Sequence, residues 1–208
     1  KAPKDGVKHT DDIAYGRDPL QKLDVYEPVE RPAKPMPVFI YIHGGGFMRG
    51  DKTNGGRAPY YANLGYWFAR HGVVTVLANY RRAPKDPWPA GARDMAGIVA
   101  WTHAHIRDYG GSPHRIVLMG ESAGASHVAA YALERRFQPR TGSGLAGAIL
   151  LSGLYDPAFE TKAGPRFGMS GPGAPNENYY GKEIARYPMR ATLKHLTGEK
   201  LPVMIIYN

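Results

Sequence analysis

The stretch RIVLMGESAGASHVAAYALE, residues 115–134, joins two elements of different kinds. Its apolar run Ile116–Met119 is typical of a strand that is buried on both faces. The cluster Gly120–Gly124 follows and opens directly onto a helix-like run of small residues. A serine between two glycines at such a junction fits the pattern G-x-S-x-G. Ser122 is therefore a candidate nucleophile, and a serine nucleophile needs a base and an acid elsewhere in the chain.

Composition limits what the 208 residues can be. With 43% hydrophobic and 22% charged residues, the chain is expected to form one globular domain over residues 1–208. The net charge of +9 is scattered, which favours a solvated basic surface and predicts no nucleic-acid partner. The absence of cysteine excludes disulfides and thiol catalysis. No apolar segment approaches ~20 residues, so we expect a soluble protein without a membrane span, either cytoplasmic or exported. The composition leaves the oligomeric state open.

Strand-like and helix-like segments alternate from residue 37 onwards. This order predicts an α/β fold with a mostly parallel central sheet and helices on both faces. An edge strand is expected over 21–28, after a polar arm (1–8) and before a Pro-rich connector (28–37). Residues 157–186 are rich in Gly and Pro, and we expect a small lid-like insertion there. Buried strands are predicted within 37–46, 73–81, 114–120, 145–156 and 201–207, and helices within 60–72, 89–111, 121–136 and 187–198.

The turns after four of these strands should meet at one edge of the sheet. They carry HGGG (43–46), NYRR (79–82), GESAG (120–124) and GLYD (153–156). Active residues of such sheets gather where the strands end at their carboxyl edge.

At that edge, Ser122 would sit in a strained turn near a helix N-terminus, which stabilises developing negative charge. The alternative is a serine that only caps the helix. The glycines after His43 can direct several backbone N–H groups at one oxygen, as an oxyanion hole requires. A flexible turn or a phosphate cradle are the alternatives, although the spacing of a phosphate-binding loop is missing. His43 itself is expected to orient the loop.

Taken together, HGGGF, NYRRAPKDPWPAGARD and GESAG resemble, in order and spacing, the HGGG esterases and lipases related to hormone-sensitive lipase, which have the α/β-hydrolase fold. LDVYEP and RGDK are similar to the arylformamidase-like branch of that fold. The resemblance covers roughly residues 20–208. It implies that Ser122 is the nucleophile and that Asp94 and Arg81 tie the loop after the second buried strand to its helix. It also implies an oxyanion hole formed by the amides of Gly45, Gly46 and Ala123.

The base and the acid are harder to place. His127 follows Ser122 by five residues, about 500° of helical rotation and ~7.5 Å of rise, so it should point away and serve in packing or at the surface. His195 precedes a parallel strand and should lie at the opposite edge of the sheet. Asp156 follows a strand at the correct edge and is an alternative acid. The chain order of this fold is Ser, Asp or Glu, then His, and the resemblance puts the acid just after residues 201–207. We therefore expect the triad acid and base beyond Asn208, with the C-terminal part of the fold missing from the sequence.

The sequence thus predicts a serine carboxylic-ester hydrolase that acts through an acyl-enzyme on small to medium esters, with no metal and no organic cofactor. Two alternatives stay open, namely an amide or formamide hydrolase on the same site and a catalytically inactive binding module with this fold. Several aromatic residues near the edge are candidates for an acyl or alcohol pocket, with ordinary packing as the alternative: Phe47, Trp88, Tyr155, Tyr179 and Tyr180.

Overall fold

The computed structural model describes residues 3–53, 60–162, 168–169, 171–196 and 201–207, and within these ranges seven strands form one sheet. The strands are β1 (Val7–Ala14), β2 (Lys22–Pro28), β3 (Met36–Ile42), β4 (Val74–Ala78), β5 (Gly111–Glu121), β6 (Gly147–Leu151) and β7 (Val203–Ile206). Their order across the sheet is β1-β2-β4-β3-β5-β6-β7. Strands β3 to β7 run parallel, whereas β2 is antiparallel to both β1 and β4. The predicted, mostly parallel sheet is confirmed.

Helices cover both faces of this sheet. They are α1 (Tyr60–Arg70), α2 (Ala90–His105), α3 (Ala123–Leu133), α4 (Pro157–Lys162) and α5 (Pro175–Tyr180). Short 3₁₀ turns follow at Ile106–Tyr109, Arg135–Phe137, Ile184–Arg190 and Leu193–His195. Helix α1 packs on β2 and β4, whereas α2 and α3 pack on each other and on β5. Among the described residues, no helix is long and apolar enough to cross a membrane.

The apolar core lies in two layers, one on each side of the sheet. The larger layer joins β2 to β6 with α2 and α3, and Ile40, Val76 and Leu118 are fully buried in it. The smaller layer joins Tyr26 and Phe39 of the sheet to α1. All five residues of β4 are buried, as expected for a central strand with helices on both sides.

The first strand differs from the prediction. Residues 1–8 were expected to be a polar arm, but β1 begins at Val7 and pairs with β2 along its length. The segment 21–28 is therefore a strand, as predicted, but not an edge strand. The strand signal of β1 is weak because most of its side chains are exposed and a bulge between Thr10 and Ile13 interrupts the alternation.

The segment before β7 also differs. The helix predicted over 187–198 is wrong for its described part, where two 3₁₀ turns are found. Pro188 lies inside the first of these turns and lacks the N–H that an α-helix needs there. Residues 157–186, predicted to be irregular, contain α4 and α5. Within that segment, 163–167 and 170 lie outside the described residues.

Candidate active site

Ser122 is the single residue between the end of β5 and the start of α3. Its φ is 52° and its ψ is −120°, a conformation that costs a residue with a side chain about 1–3 kcal/mol. The turn is fixed on both sides, because Ser122 N donates to Leu151 O (2.8 Å) and Ser126 N donates to Ser122 O (3.2 Å). Ser122 makes no side-chain capping hydrogen bond to α3, which argues against the helix-cap alternative. The strained strand-to-helix turn is the context that G-x-S-x-G requires.

The two glycines of the motif are required by close packing. A Cβ at Gly120 would overlap the backbone of Gly124. A Cβ at Gly124 would lie 2.5 Å from the carbonyl oxygens of both Ile42 and His43, which end β3. This close approach of α3 to β3 brings the first glycine of the HGGG turn beside Ser122: a Cβ at Gly44 would lie 3.2 Å from Ser122 Cβ.

The HGGG turn has an unusual backbone. Gly45, Gly46 and Phe47 have φ values of 126°, 58° and 65° in succession. The turn closes on itself, because Arg49 N and Met48 N donate to Gly45 O at 3.1 and 3.3 Å. Among the hydrogen bonds between described residues, none uses the backbone N–H of Gly45, Gly46 or Ala123. The predicted oxyanion-hole amides therefore lack protein acceptors in the described structure, and their role remains a prediction.

His43 stabilises the HGGG turn through buried contacts. Its side chain is 1% exposed, and Nδ1 donates to Gly44 O at 2.6 Å. Its ring stacks on Tyr80, with centroids 4.5 Å apart, and the Tyr80 hydroxyl donates to His43 O. Burial lowers the pKa of His43, so the ring is neutral near pH 7. These contacts support the prediction that His43 orients the loop.

Arg81 and Asp94 tie the segment after β4 to α2, as predicted. The guanidinium of Arg81 donates to Asp94 Oδ1 through Nε (3.0 Å) and Nη2 (2.6 Å), and Arg81 N donates to Asp94 Oδ2 (2.7 Å). Gln21 adds a third connection, from the turn between β1 and β2, by donating to Asp94 Oδ1 at 2.8 Å. The Asp94 carboxylate is fully buried and hydrogen-bonded, so it joins three segments of the chain.

His127 is an interior residue, which bears out the packing alternative. It is 1% exposed and lies against the rings of Phe47, Tyr80 and Tyr179. Burial, with a smaller contribution from His43, lowers the pKa of His127 to about 3, so its ring is neutral near pH 7. Its Nδ1 lies 3.1 Å from the Tyr179 hydroxyl, so that nitrogen already has a hydrogen-bond partner.

His195 and Asp156 also have other partners. His195 Nε2 lies 4.0 Å from Glu134 Oε2, just past the far end of α3, which is roughly 18 Å along the helix from Ser122. Its position agrees with the expectation that His195 lies at the opposite edge. Asp156 Oδ1 accepts hydrogen bonds from Ala158 N (2.9 Å) and Phe159 N (3.2 Å), as an N-terminal cap of α4 does.

Most of the aromatic residues proposed for a substrate pocket are packed as core. Phe47, Tyr155, Tyr179 and Tyr180 are at most 4% exposed. Trp88 is half-buried, with the guanidinium groups of Arg136 and Arg190 about 5 Å from its ring. The structure therefore favours the packing alternative for the four buried rings.

One polar residue beside Ser122, Glu121, had no predicted role. The carboxylate of Glu121 accepts a hydrogen bond from the Tyr41 hydroxyl and lies 3.5 Å from the hydroxyl of Tyr61 in α1. Together with burial, this carboxylate raises the pKa of Tyr41. Glu121 occupies a variable position of the motif, so only the tyrosines of β3 and α1 could have indicated its partners. Among the described residues, no group of three or more His, Asp or Glu side chains is placed to hold a metal ion.

Comparison with known proteins agrees with this geometry. Residues 23–140, more than half of the chain, match the model of the BD-FAE family. Esterase LipC of Mycobacterium tuberculosis is 36% identical over 124 residues, which cover 60% of this chain and 29% of LipC. The probable carboxylic ester hydrolase LipM of the same organism is 33% identical over 159 residues, which cover 71% of this chain and 35% of LipM. The chain thus spans about a third of these curated relatives.

A solved structure gives the same fold over almost the whole chain. Esterase B from Lactobacillus rhamnosis, in an inhibited form, superposes with a TM-score of 0.80 at 22% identity, over 99% of this chain and 67% of that structure. At this level of identity the likeness establishes the fold alone.

Proposed function

Because the chain belongs to the BD-FAE family and has the α/β-hydrolase fold, we propose that it is a serine carboxylic-ester hydrolase acting through an acyl-enzyme. One observation carries this proposal. Ser122 occupies a strained turn with φ of 52°, directly beside the HGGG turn and at the start of α3. A serine in a helix-capping or surface role has no need of this conformation.

In the proposed acylation step, Ser122 Oγ attacks the carbonyl carbon of the ester while a base takes the hydroxyl proton. The carbonyl oxygen becomes an oxyanion, which the amides of Gly45, Gly46 and Ala123 stabilise by hydrogen bonds. The tetrahedral intermediate then expels the alcohol, which takes the proton from the base. In deacylation, water activated by the same base attacks the acyl-enzyme, releases the carboxylic acid and restores Ser122.

The base and the acid are proposed to lie outside the described residues. The chain has eight histidines, all within the described ranges, and none is hydrogen-bonded to Ser122. His43 and His127 are buried and hydrogen-bonded to other groups, and His195 lies near the far end of α3. These positions support the proposal that the base lies outside the described residues.

We propose small to medium esters as the substrates. The segment around α5 packs down on the HGGG turn, since a Cβ at Gly46 would lie 3.5 Å from the Pro175 ring. This contact limits the space directly above Gly46, which favours smaller substrates. The arylformamidase-like sequence features keep formamides as the competing substrate class.

The proposal is tested with the full-length protein and a fluorophosphonate probe that labels activated serines. We expect labelling and hydrolysis of short p-nitrophenyl esters, and loss of both in Ser122→Ala. Ser112→Ala is the matched control, because Ser112 lies at the amino end of β5 and its Oγ accepts a hydrogen bond from the nearby His114 N. Labelling that persists in Ser122→Ala would reject Ser122 as the nucleophile. Faster turnover of N-formyl aryl amines than of esters would assign the formamide class instead.

A further inference from the structure

A third apolar cluster, separate from the two core layers, lies above the edge of the sheet at the proposed site. It contains Phe47 of the HGGG turn, Ala123 at the start of α3 and Ala83 of the segment after β4. The rest of its buried members are three tyrosines, Tyr179, Tyr180 and Tyr187, from α5 and the turn that follows it. We call this group the tyrosine cluster. It joins the predicted lid-like segment to the two elements that supply the proposed oxyanion-hole amides.

Phe47 is the point at which the tyrosine cluster meets the HGGG turn. Its φ of 65° is unfavourable for a residue with a side chain, at a cost of about 1–3 kcal/mol, and such a conformation persists only where the surroundings impose it. The Phe47 ring stacks on Tyr179, with centroids 4.4 Å apart and planes within 4°. Its carbonyl accepts a hydrogen bond from Ala83 N at 3.0 Å. The ring and the backbone of Phe47 are therefore each held by a separate contact.

Tyr179 is itself anchored at both ends. Its carbonyl accepts a hydrogen bond from Trp88 N at 2.8 Å, and its hydroxyl lies 3.1 Å from His127 Nδ1. Which of these two groups donates follows from the tautomer of His127.

The histidine that holds this hydroxyl is itself tightly packed. Burial keeps the ring of His127 neutral near pH 7. A Cβ at Gly91 would overlap His127 Nδ1, so α2 approaches this ring closely. His127 of α3 thus anchors the Tyr179 hydroxyl, and the Tyr179 ring lies flat against Phe47.

We propose that Tyr179 is a positioning residue of the oxyanion hole, which holds the HGGG turn in its strained conformation through the ring of Phe47. This inference rests on the proposed function. Tyr179 is 2% exposed and does not reach the substrate, so its effect passes through the backbone from Phe47 to Gly46. A misplacement of about 1 Å in a catalytic group lowers turnover by up to roughly 100-fold, with little change in substrate binding.

The test compares Tyr179→Leu, which removes the stacked ring, with Tyr179→Phe, which keeps the ring and loses the hydroxyl. We expect kcat for a p-nitrophenyl ester to fall roughly 10- to 100-fold in the leucine variant, with KM within about threefold of wild type. The phenylalanine variant should restore most of this loss. The rate of fluorophosphonate labelling should fall in parallel, because the phosphonyl oxygen would accept hydrogen bonds from the same backbone amides.

Tyr187→Leu is the matched control. Tyr187 belongs to the same cluster and segment, but its hydroxyl donates to Gly181 O and its ring contacts Tyr180 rather than Phe47. This variant should lower the melting temperature and leave kcat within about twofold of wild type. Should Tyr179→Leu fail to fold, Tyr179→Met takes its place with the same expectation.

The outcomes separate the two proposals. A wild-type protein that is not labelled rejects the proposed hydrolase function, and the positioning role with it. If the wild type is labelled and Tyr179→Leu, assayed below its melting temperature, has the wild-type kcat, only the positioning role is rejected. A rise in KM at unchanged kcat would also overturn it, since that result describes a binding residue.

Discussion

Replacing Gly124 by alanine tests whether the packing of α3 on β3 sets the position of Ser122, the proposed nucleophile. The added Cβ would lie 2.5 Å from the carbonyl oxygens of Ile42 and His43. Ordinary contact begins at 3.4 Å, so α3 and the end of β3 must separate by about 0.9 Å. Both obstacles are backbone atoms, one at the end of β3 and one in the residue that follows it, and they cannot rotate away as a side chain can. The start of α3, and Ser122 with it, therefore moves relative to the HGGG turn.

Two opposing effects determine the loss of stability in Gly124→Ala. Overpacking a dense interior costs about 1–3 kcal/mol, with the upper half expected for backbone obstacles. Alanine is favoured over glycine in a helix by at most ~1 kcal/mol, and by less at its first turn. The free energy of unfolding should fall by about 1–2 kcal/mol, which lowers the melting temperature by roughly 2–8 °C. The shift of about 0.9 Å should lower kcat by up to roughly 100-fold.

Gly97→Ala is the matched control, since it is the same substitution in α2 at a site where the new Cβ meets only the Tyr15 ring, at 3.3 Å. Circular dichroism melts and the rate of fluorophosphonate labelling of Ser122 measure the two effects. The control should melt within a few degrees of wild type and label at the wild-type rate. Wild-type labelling and melting in Gly124→Ala would refute the argument that the motif glycines are required by the approach of β3.

Two further predictions concern stability. Asp94→Asn removes the charge that pairs with Arg81. Chemical denaturation should show that the free energy of unfolding falls by about 2–3 kcal/mol. An unchanged unfolding midpoint would contradict the structural role of this pair. The lowered pKa of His127, about 3 against an ordinary 6.5, means that the unfolded chain binds the proton first on acidification. Its contribution to stability is complete above pH 6.5 and should fall by about 1.4 kcal/mol per pH unit between pH 6.5 and 3. Urea denaturation at pH 7 and pH 5 measures this slope, which should be smaller in His127→Asn. An equal slope would show that His127 is not the titrating group. His43, whose pKa is also lowered, contributes to the slope that remains in the variant.

The features that the sequence predicts correctly are those encoded by neighbouring residues. Apolar runs bounded by turns predict the parallel sheet, and the pattern around Ser122 predicts the strained turn, because strand, turn and helix are contiguous there. Arg81 and Asp94 lie 13 residues apart in adjacent elements, so their pairing follows from the resemblance and is found in the structure.

The features that escape prediction depend on contacts between distant residues or on weak patterns. Strand β1 is stabilised by its pairing with β2, and its exposed side chains give no alternating signal. The hydrogen bond between His127 and Tyr179 joins residues 52 apart, across a segment whose Gly and Pro content predicts only a loop. The sequence did single out Tyr179 as an aromatic residue near the edge, but composition alone cannot tell a pocket wall from a packed support.

The two halves of the proposed site are held in place by different means. Ser122 keeps its strained backbone because glycines on both sides let α3 approach β3 closely, and these glycines belong to the motif itself. Phe47 has a similarly strained backbone, but its support is the tyrosine cluster, which comes from the segment around α5. Substitutions around Ser122 should therefore alter the proposed nucleophile directly. Substitutions of Tyr179 should act on the proposed oxyanion hole, so a buried residue of α5 can tune turnover.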